Sequence, residues 1–373
     1  MTPTLRRSIP FFDYPQLFTA EEEMLVAIVR DVGRRGAFIL QQDLARFEEN
    51  LAHFLGARHA LGVGNATDGL LIALRAAGIR PGDEVIFSSH TMIATAAAIH
   101  FAGAVPVPVE CGADHLIDPQ AVEEAVTPRT RAILPTHLNG RTADMAALTR
   151  IAHKHGLTMI EDAAQALGSR FEGRPAGTFG AAAAFSFYPA KVLGCLGDGG
   201  AVIANDDAVY GRALELHDHG RRADGEIVSW GLNSRLDNLQ AAILDARLKK
   251  YGAVIERRRA IARLYRSRLE ALEELKLPPG PDGDEEHFDI YQNYEIEAMR
   301  RDGLAAYLQA SGIGTLVQWG GKAVHQWEKL GFTEKLPFTE KLLGRMLLLP
   351  LNMSLSDDDA HAVADAIHRF YRG

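Results

Sequence analysis

The stretch "FSFYPAKVLGCLGDGGAVIAND", Phe185 to Asp206, places a single lysine among apolar and small residues. Ser186 stands five residues before Lys191, and a glycine-rich turn follows before a second apolar run. A lysine in such surroundings is a surface residue whose amine reaches solvent, a phosphate ligand, or an amine that does chemistry. Burial would lower the pKa of its amine and make it a nucleophile and a usable base. The "GDGG" segment ending at Gly200 predicts a turn where backbone segments pass close together.

The composition limits the class of protein. The chain has 373 residues, 47% of them hydrophobic, and a formal net charge of -8. This length suggests at least two domains, and with no basic block beyond Arg257–Arg259 we expect no nucleic acid partner. Cys111 and Cys195 are too few for a disulfide framework, and no apolar run reaches the roughly 18–20 residues of a membrane helix. We therefore expect a soluble, cytoplasmic protein that does not bind membranes.

The order of the elements predicts the architecture. Strand-like and helical patterns alternate over the first 210 residues or so, which is typical of an α/β protein with a mixed, mostly parallel sheet. After Leu236 the sequence becomes a long, highly charged helical pattern, followed by a Pro/Gly/acidic loop and further short elements. We predict a large domain over residues 1–245, which includes an N-terminal arm, and a smaller C-terminal α+β domain over residues 246–373.

One motif predicts an anion site. The sequence "GVGNATDGL", Gly62 to Leu70, ends a predicted strand and opens a helix, where free N–H groups and the helix dipole attract anions. Thr67 could add its hydroxyl group. An ordinary helix cap with a glycine turn explains the same residues. The motif lacks the third glycine of a dinucleotide fingerprint and the ending of a Walker loop, which argues against a nicotinamide-dependent dehydrogenase.

Two further motifs carry charged groups. In "MIEDAAQALGS", Glu161 and Asp162 end a strand at the edge where ligands bind, and Asp162 could hold a protonated ring nitrogen. A simple turn cap is the alternative for Asp162. In "WGLNSRLDNLQAAIL", Asn233 and Arg235 are predicted to start a helix, where an anion would be welcome. A plain cap and a surface arginine are equally consistent with that sequence.

Together the motifs describe a pyridoxal phosphate (PLP) site. A helix N-terminus would hold the phosphate, Asp162 would pair with the pyridine nitrogen, and Lys191 would bind the cofactor covalently. The segments "EDAAQALGS", "FSFYPAK", "GDGG" and "NSRLDNLQAA" occur in an order and spacing that resembles the DegT/StrS-type nucleotide-sugar aminotransferases. The likeness extends over nearly the whole chain. It implies the PLP-dependent type I aminotransferase fold and a homodimer in which each active site is shared between subunits.

The resemblance also implies roles for particular residues. Lys191 would be the lysine that holds the cofactor, Asp162 the partner of its ring nitrogen, and Asn233 a contact to the phosphate in the neighbouring subunit. Ala164 would pack on one face of the ring, and Gln165 would lie on its O3′ side. The phosphate contacts would come from Ala66, Thr67 and Ser186.

The chain departs from the family pattern at two places. Met92 stands where an aromatic residue usually stacks on the second ring face, and a thioether covers a ring less specifically. The loop that faces the sugar usually reads Y-x-P-x-H, but here it contains Trp319, Gly320, Gly321, Lys322 and His325. We expect Trp319, His325 and Tyr188 to contact the substrate. Lys322 and Arg235 are candidates to neutralise its diphosphate.

The predicted reaction moves an amino group from L-glutamate to a nucleotide-linked 3- or 4-keto-6-deoxysugar, with thymidine diphosphate (dTDP) as the expected nucleotide. Such enzymes serve antibiotic or surface-polysaccharide pathways. One alternative is a sugar dehydratase of the same superfamily, whose members carry histidine where Lys191 stands. Another is a PLP-binding sensor without turnover. No metal site is predicted, since "HDHG", His217 to Gly220, has none of the usual ligand spacings.

Overall fold

A seven-stranded sheet forms the centre of the larger part of the molecule. The structure is a computed structural model, and it describes residues 8–372. The strands, in chain order, are β1 (His59–Val63), β2 (Glu84–Ser88), β3 (Val105–Val109), β4 (Thr130–Leu134), β5 (Thr158–Asp162), β6 (Arg170–Phe171), β7 (Arg174–Pro175), β8 (Ala182–Ser186), β9 (Gly200–Ala204), β10 (Leu275–Lys276), β11 (His287–Phe288), β12 (Tyr294–Ala298) and β13 (Met346–Leu349).

The central sheet confirms the predicted mixed, mostly parallel arrangement. Its strand order is β1-β9-β8-β5-β4-β2-β3. Strand β9 runs antiparallel to β1 and β8, and the remaining neighbours pair in parallel. Because parallel neighbours need crossover connections, helices cover both faces of this sheet.

The described chain also contains twelve α-helices. In chain order they are α1 (Tyr14–Arg35), α2 (Gln42–Leu55), α3 (Ala66–Ala76), α4 (Ile93–Phe101), α5 (Pro119–Ala125), α6 (Met145–His155), α7 (Asp207–His217), α8 (Asn238–Leu248), α9 (Tyr251–Leu269), α10 (Arg301–Ala310), α11 (Pro337–Leu343) and α12 (Asp357–Arg372). Helix α6 is followed by Gly156, whose left-handed conformation ends the helix. No helix within residues 8–372 is both long and apolar enough to cross a membrane.

Strand β8 shows how the sequence divides the core between the two faces. Ala182 and Ala184 belong to the apolar cluster that contains α3, whereas Ala183 and Phe185 belong to the cluster that contains α2 and α8. Successive side chains of a strand point to opposite faces, so a run of small apolar residues is buried on both sides. The strand is therefore fixed between two helical layers, and its end at Ser186 is held in place.

A second core lies in the C-terminal part of the chain. Strands β10, β12 and β13 form a separate sheet, and α9, α10 and α12 contribute to the apolar cluster that covers it. Tyr251 and Ile255 of α9 pack with the larger core, whereas Ile261 and Tyr265 of the same helix pack with the smaller one. The domain boundary near residue 245 stays a prediction, and the change of core along α9 supports a division close to it.

Two sequence predictions of local structure were wrong. The charged helical pattern after Leu236 is divided into α8 and α9 at Lys249 and Lys250. Asn233 and Arg235 do not start a helix, because α8 begins only at Asn238. The backbone there instead pairs with residues 217–219, with the Ser234 N–H donating to the His217 carbonyl oxygen at 2.9 Å. These bonds hold the chain in a non-helical conformation.

Candidate active site

Chemically active side chains gather where the parallel strands end. Asp162 is the last residue of β5, and Ser186 is the last residue of β8. Strands β5 and β8 are neighbours in the sheet. Lys191 lies on the irregular turn that follows β8, where its backbone N–H donates to the Tyr188 carbonyl oxygen at 2.8 Å. The ligand-binding edge of an α/β sheet thus carries both an acid and an amine.

The carboxylate of Asp162 is buried and held by several donors. The Thr95 hydroxyl donates to its Oδ2 at 2.7 Å, and the Thr136 hydroxyl lies 3.5 Å from the same oxygen. The Ala164 backbone N–H donates to its Oδ1 at 3.1 Å. These bonds fix the orientation of the carboxylate. Such a group can hold a protonated ring nitrogen in a fixed direction.

The neighbouring Glu161 has a different function. It is fully buried on the other side of the strand, where His137 Nε2 lies 2.9 Å from its Oε2. The backbone N–H groups of Gly177 and Gly180 donate to its two oxygens at 2.7 and 2.6 Å. Since these contacts satisfy the carboxylate, Glu161 anchors a loop, and Asp162 is the acid that faces the ligand edge.

Burial of Lys191 changes the acidity of its amine. Desolvation lowers its pKa to about 8, and the nearby charge of Asp162 opposes this by raising it. An ordinary lysine has a pKa near 10.4. At neutral pH a much larger fraction of this amine is therefore unprotonated, which is the form that attacks an aldehyde or accepts a proton.

The start of α3 forms a cup for an anion. Asn65 caps this helix, and its side chain accepts the N–H of Asp68 at 2.9 Å. The N–H groups of Ala66 and Thr67 lie in the first turn, where no carbonyl of the helix can accept them. A Cβ atom added at Gly200 would lie 2.7 Å from the Asn65 carbonyl carbon and 2.8 Å from the Ala66 nitrogen. The close backbone approach predicted for the "GDGG" turn is confirmed.

Gln165 follows Asp162 on the loop after β5 and belongs to a polar chain. Its Oε1 accepts the backbone N–H of Asn139 at 2.8 Å, and Asn293 Nδ2 lies 3.4 Å from it. Asn293 Nδ2 also donates to Asn139 Oδ1 at 2.8 Å. Because Asn293 precedes β12, the smaller core is connected to the predicted O3′ side of the cofactor site.

The residues predicted to contact the sugar lie in different environments. His325 is buried, with Nδ1 2.7 Å from the Ser89 hydroxyl and Nε2 3.1 Å from Glu340 Oε1. Both ring nitrogens therefore have protein partners, which argues against a direct sugar contact. The ring of Trp319 packs edge-on against His90, with 5.5 Å between ring centroids.

The two predicted diphosphate ligands also differ. The amine of Lys322 is exposed and lies 5.1 Å from the centroid of the Trp327 ring. The guanidinium of Arg235 is already paired with Asp218 at 2.8 Å. Since this pair neutralises its charge, Arg235 has less to offer a diphosphate than Lys322 has.

Three other predicted residues are solvent-exposed. Met92 is 47% exposed at the start of α4, and Tyr188 is 52% exposed beside Lys191. Asn233 is also exposed, in the segment before α8. Cys195, in contrast, is buried, and burial raises the pKa of its thiol to about 12. Its thiol is therefore unreactive.

Sequence reasoning missed Thr95 as a site residue. It is 67 positions from Asp162 and sits in the apolar helix α4. Its hydroxyl also lies 3.0 Å from that of Thr91, which in turn lies 2.9 Å from that of Thr136. The available signal was the pair Thr91 and Thr95, which lie close to Met92 in a segment that continues as an apolar helix. These hydroxyl groups form a buried network around the acid.

A buried acid, a desolvated lysine and an anion cup at one sheet edge define the PLP-dependent class of α/β enzymes. Residues 19–368 match the DegT/DnrJ/EryC1/StrS aminotransferase family, and the chain belongs to that family. It is 44% identical over 316 residues to the dTDP-3-amino-3,4,6-trideoxy-alpha-D-glucose transaminase of Streptomyces venezuelae. The aligned region covers 83% of this chain and 82% of that relative.

Solved structures agree on the fold. DesV of S. venezuelae superposes with a TM-score of 0.94 at 40% identity, covering 98% of this chain and 99% of that chain. NtdA of Bacillus subtilis, solved with bound pyridoxamine phosphate (PMP), superposes with a TM-score of 0.91 at 28% identity. That alignment covers 100% of this chain and 87% of NtdA. The protein has the type I aminotransferase fold predicted from its sequence.

The residues present fit the family's cofactor, PLP. The first-turn N–H groups at Ala66 and Thr67 are donors of the kind that a phosphate requires, and Gly200 leaves room for that backbone. Asp162 offers an acceptor that a protonated ring nitrogen requires, and Lys191 offers an amine with a lowered pKa. These groups therefore match the phosphate, the ring nitrogen and the aldehyde of the cofactor.

Replacing Thr95 should weaken cofactor binding. Thr95→Val removes a hydrogen bond to the Asp162 carboxylate, and bonds to charged groups are worth about 1.5–3 kcal/mol. We expect the Kd for PLP, measured by equilibrium dialysis, to rise roughly 10–100-fold. Thr339→Val is the matched control, because the hydroxyl of that buried threonine donates to Glu110 instead. An unchanged Kd in Thr95→Val would contradict the assigned role of the network.

Filling the space at Gly200 should disturb the anion cup. In Gly200→Ala the new methyl group would overlap the backbone at Asn65 and Ala66, and such overpacking costs about 1–3 kcal/mol. We expect a lower Tm and weaker PLP binding. The control is Gly211→Ala in α7, where an added Cβ meets open space and alanine favours the helix. Equal PLP affinity in both variants would rule out the cup at α3.

The lowered pKa of Lys191 predicts a pH dependence. Only the unprotonated amine attacks the cofactor, so the rate of PLP attachment to cofactor-free protein should rise about tenfold per pH unit and level off above about pH 8. Asp162→Asn removes the charge that raises this pKa, so the midpoint should move to lower pH. Stopped-flow absorbance measures the rate. A midpoint near that of free lysine would show that the amine is not desolvated.

Proposed function

We propose that this enzyme transfers an amino group from L-glutamate to a nucleotide-linked ketosugar. The single observation that carries the proposal is the placement of the desolvated amine of Lys191 and the hydrogen-bonded carboxylate of Asp162 at one sheet edge. The named relative from S. venezuelae is a dTDP-amino-sugar transaminase, which supports a nucleotide-sugar substrate. We propose dTDP as the nucleotide and a 3- or 4-keto-6-deoxysugar as the acceptor.

The cofactor, when bound, supplies a conjugated ring that accepts the electron pair released at the donor's α-carbon. Asp162 would hold the proton of the ring nitrogen, because its carboxylate is oriented by Thr95 and by the Ala164 N–H. Lys191 would be the base that accepts the proton released at the donor's α-carbon and the acid that returns it. An amine with a pKa of about 8 can both accept a proton and return it near neutral pH.

The loop with Trp319 and Lys322 is the proposed contact surface for the nucleotide sugar. Trp319 adopts a left-handed backbone conformation, with φ at 50°, and packs against His90. The exposed amine of Lys322 is available to the diphosphate, in contrast to Arg235. His325 supports this loop from beneath, through Ser89 and Glu340.

We further propose a homodimer with shared active sites. Large apolar side chains are exposed in the single chain, including Met92, Tyr188 and Trp230, which is 95% exposed. Trp230 precedes Asn233, the residue proposed to reach the partner's phosphate. Exposed apolar side chains of this size favour a partner surface. We also propose a cytoplasmic location, since the two buried, unpaired cysteines suit a reducing compartment. The proposed role is in antibiotic or surface-polysaccharide synthesis.

A panel of nucleotide ketosugars tests the proposed reaction. The purified enzyme, with PLP and L-glutamate, should convert at least one dTDP- or UDP-linked 3- or 4-ketosugar into an amino sugar, detected by mass spectrometry. Lys191→Ala should lose at least about 10²–10⁴-fold in rate, since it removes the general base. Product from Lys191→Ala at the wild-type rate would refute transamination through this lysine. Loss of water from the sugar without amine transfer would instead indicate a dehydratase.

A further inference from the structure

The turn that carries Lys191 is irregular, and its own hydrogen bonds hold it only in part. The N–H of Lys191 donates to the Tyr188 carbonyl oxygen at 2.8 Å, and that of Cys195 donates to the Phe187 carbonyl oxygen at 2.7 Å. The two peptide groups that flank Lys191 offer a carbonyl at Ala190 and an N–H at Val192. Both of these groups bond to one side chain from a distant part of the chain.

That side chain is Gln292, which binds the backbone on both sides of the lysine. Its Oε1 accepts the Val192 N–H at 2.9 Å, and its Nε2 donates to the Ala190 carbonyl oxygen at 2.9 Å. Gln292 is only 7% exposed. An amide supplies one acceptor and one donor in a fixed plane, which a carboxylate or an apolar group of the same size cannot do.

Gln292 is itself held rigidly. Arg258 donates from Nη2 to the Gln292 carbonyl oxygen at 2.8 Å and from Nε to the Tyr291 carbonyl oxygen at 2.8 Å. Its Nη2 also lies 2.9 Å from the Leu351 carbonyl oxygen. Tyr291 has a left-handed backbone, with φ at 52°, which turns the chain before β12. The backbone of Gln292 is thus fixed by a buried cation.

The two hydrogen bonds from Gln292, here called the backbone clamp, suit the chemistry of Lys191. The amine of Lys191 must stay free of strong hydrogen bonds, because it has to bind the cofactor and later move a proton. The position of the amine must therefore be set from its backbone. A misplacement of about 1 Å in a reacting group can cost on the order of 10²-fold in rate. Gln292 fixes the two peptide units from which the side chain starts.

We propose that Gln292 is a positioning residue that aims Lys191 at the cofactor. The proposal rests on the proposed function of Lys191 and adds that a residue from the C-terminal part of the chain sets its place. Asn293, the next residue, connects through Asn139 to Gln165. The segment Tyr291–Tyr294 therefore couples the lysine turn to the loop after β5.

The chain offers a matched control for this clamp. Gln240 of α8 binds the backbone of Leu196 in the same way, accepting its N–H at 2.8 Å and donating to its carbonyl oxygen at 3.0 Å. Leu196 lies on the same turn, five residues after Lys191. Gln240→Leu therefore removes the same kind of contact from the same turn, but away from the lysine.

The experiment compares Gln292→Leu, Gln292→Glu and Gln240→Leu as full-length proteins. We expect Gln292→Leu to lower kcat for the glutamate half-reaction roughly 10²-fold, with the KM for glutamate changed by less than about threefold. PLP attachment to the cofactor-free protein should slow by a similar factor. Gln292→Glu, which keeps the acceptor for Val192 but repels the Ala190 carbonyl, should be impaired too. Gln240→Leu should keep both rates near the wild-type values.

The outcomes separate positioning from general stability. Wild-type rates in a folded Gln292→Leu or Gln292→Glu protein would overturn the proposal, and so would equal losses in Gln292→Leu and Gln240→Leu. If Gln292→Leu does not fold, Gln292→Glu decides by the same two rates. A wild-type protein that does not attach PLP through Lys191 would refute the proposed function itself, which is a different result.

Discussion

The burial of the Lys191 amine near the Asp162 carboxylate is the interaction on which the rest of the site depends. Desolvation favours the neutral amine, and the carboxylate limits that effect, so the pKa settles at about 8. A fully exposed lysine would be protonated at neutral pH, and one buried without an acid nearby would be less able to take a proton back. The balance between desolvation and the charge of Asp162 gives an amine that can both attack and exchange a proton.

The fold produces this balance from simple elements. Parallel strands β5 and β8 end side by side, so the last residue of one supplies the acid and the turn after the other supplies the amine. Small residues in β8 let helices pack on both faces, which buries the strand from Ala182 to Phe185. The antiparallel strand β9 begins at Gly200 and brings the start of α3 against that end. The first turn of α3, Asp162 and Lys191 therefore lie at one edge of the sheet.

The sequence predicted the parts of this arrangement that local patterns encode. Alternating elements, the Asp162 strand end, the Lys191 turn and the helix start at Ala66 each show in a short segment. Contacts between distant segments were not predictable in the same way. Nothing in the sequence around Gln292 indicates that its amide would bind a turn 100 residues earlier. The helix predicted at Asn233 was wrong for the same reason, since pairing with residues 217–219 overrides local helical preference.

Chemical reduction of the bound cofactor identifies the residue that holds it. Protein incubated with PLP is reduced with sodium borohydride, digested, and its peptides are analysed by mass spectrometry. The phosphopyridoxyl mass is expected on Lys191 alone, and it should be lost in Lys191→Ala. A label on another lysine, such as Lys250 or Lys322, or no label at all, would contradict the assignment of Lys191 as the residue that holds the cofactor.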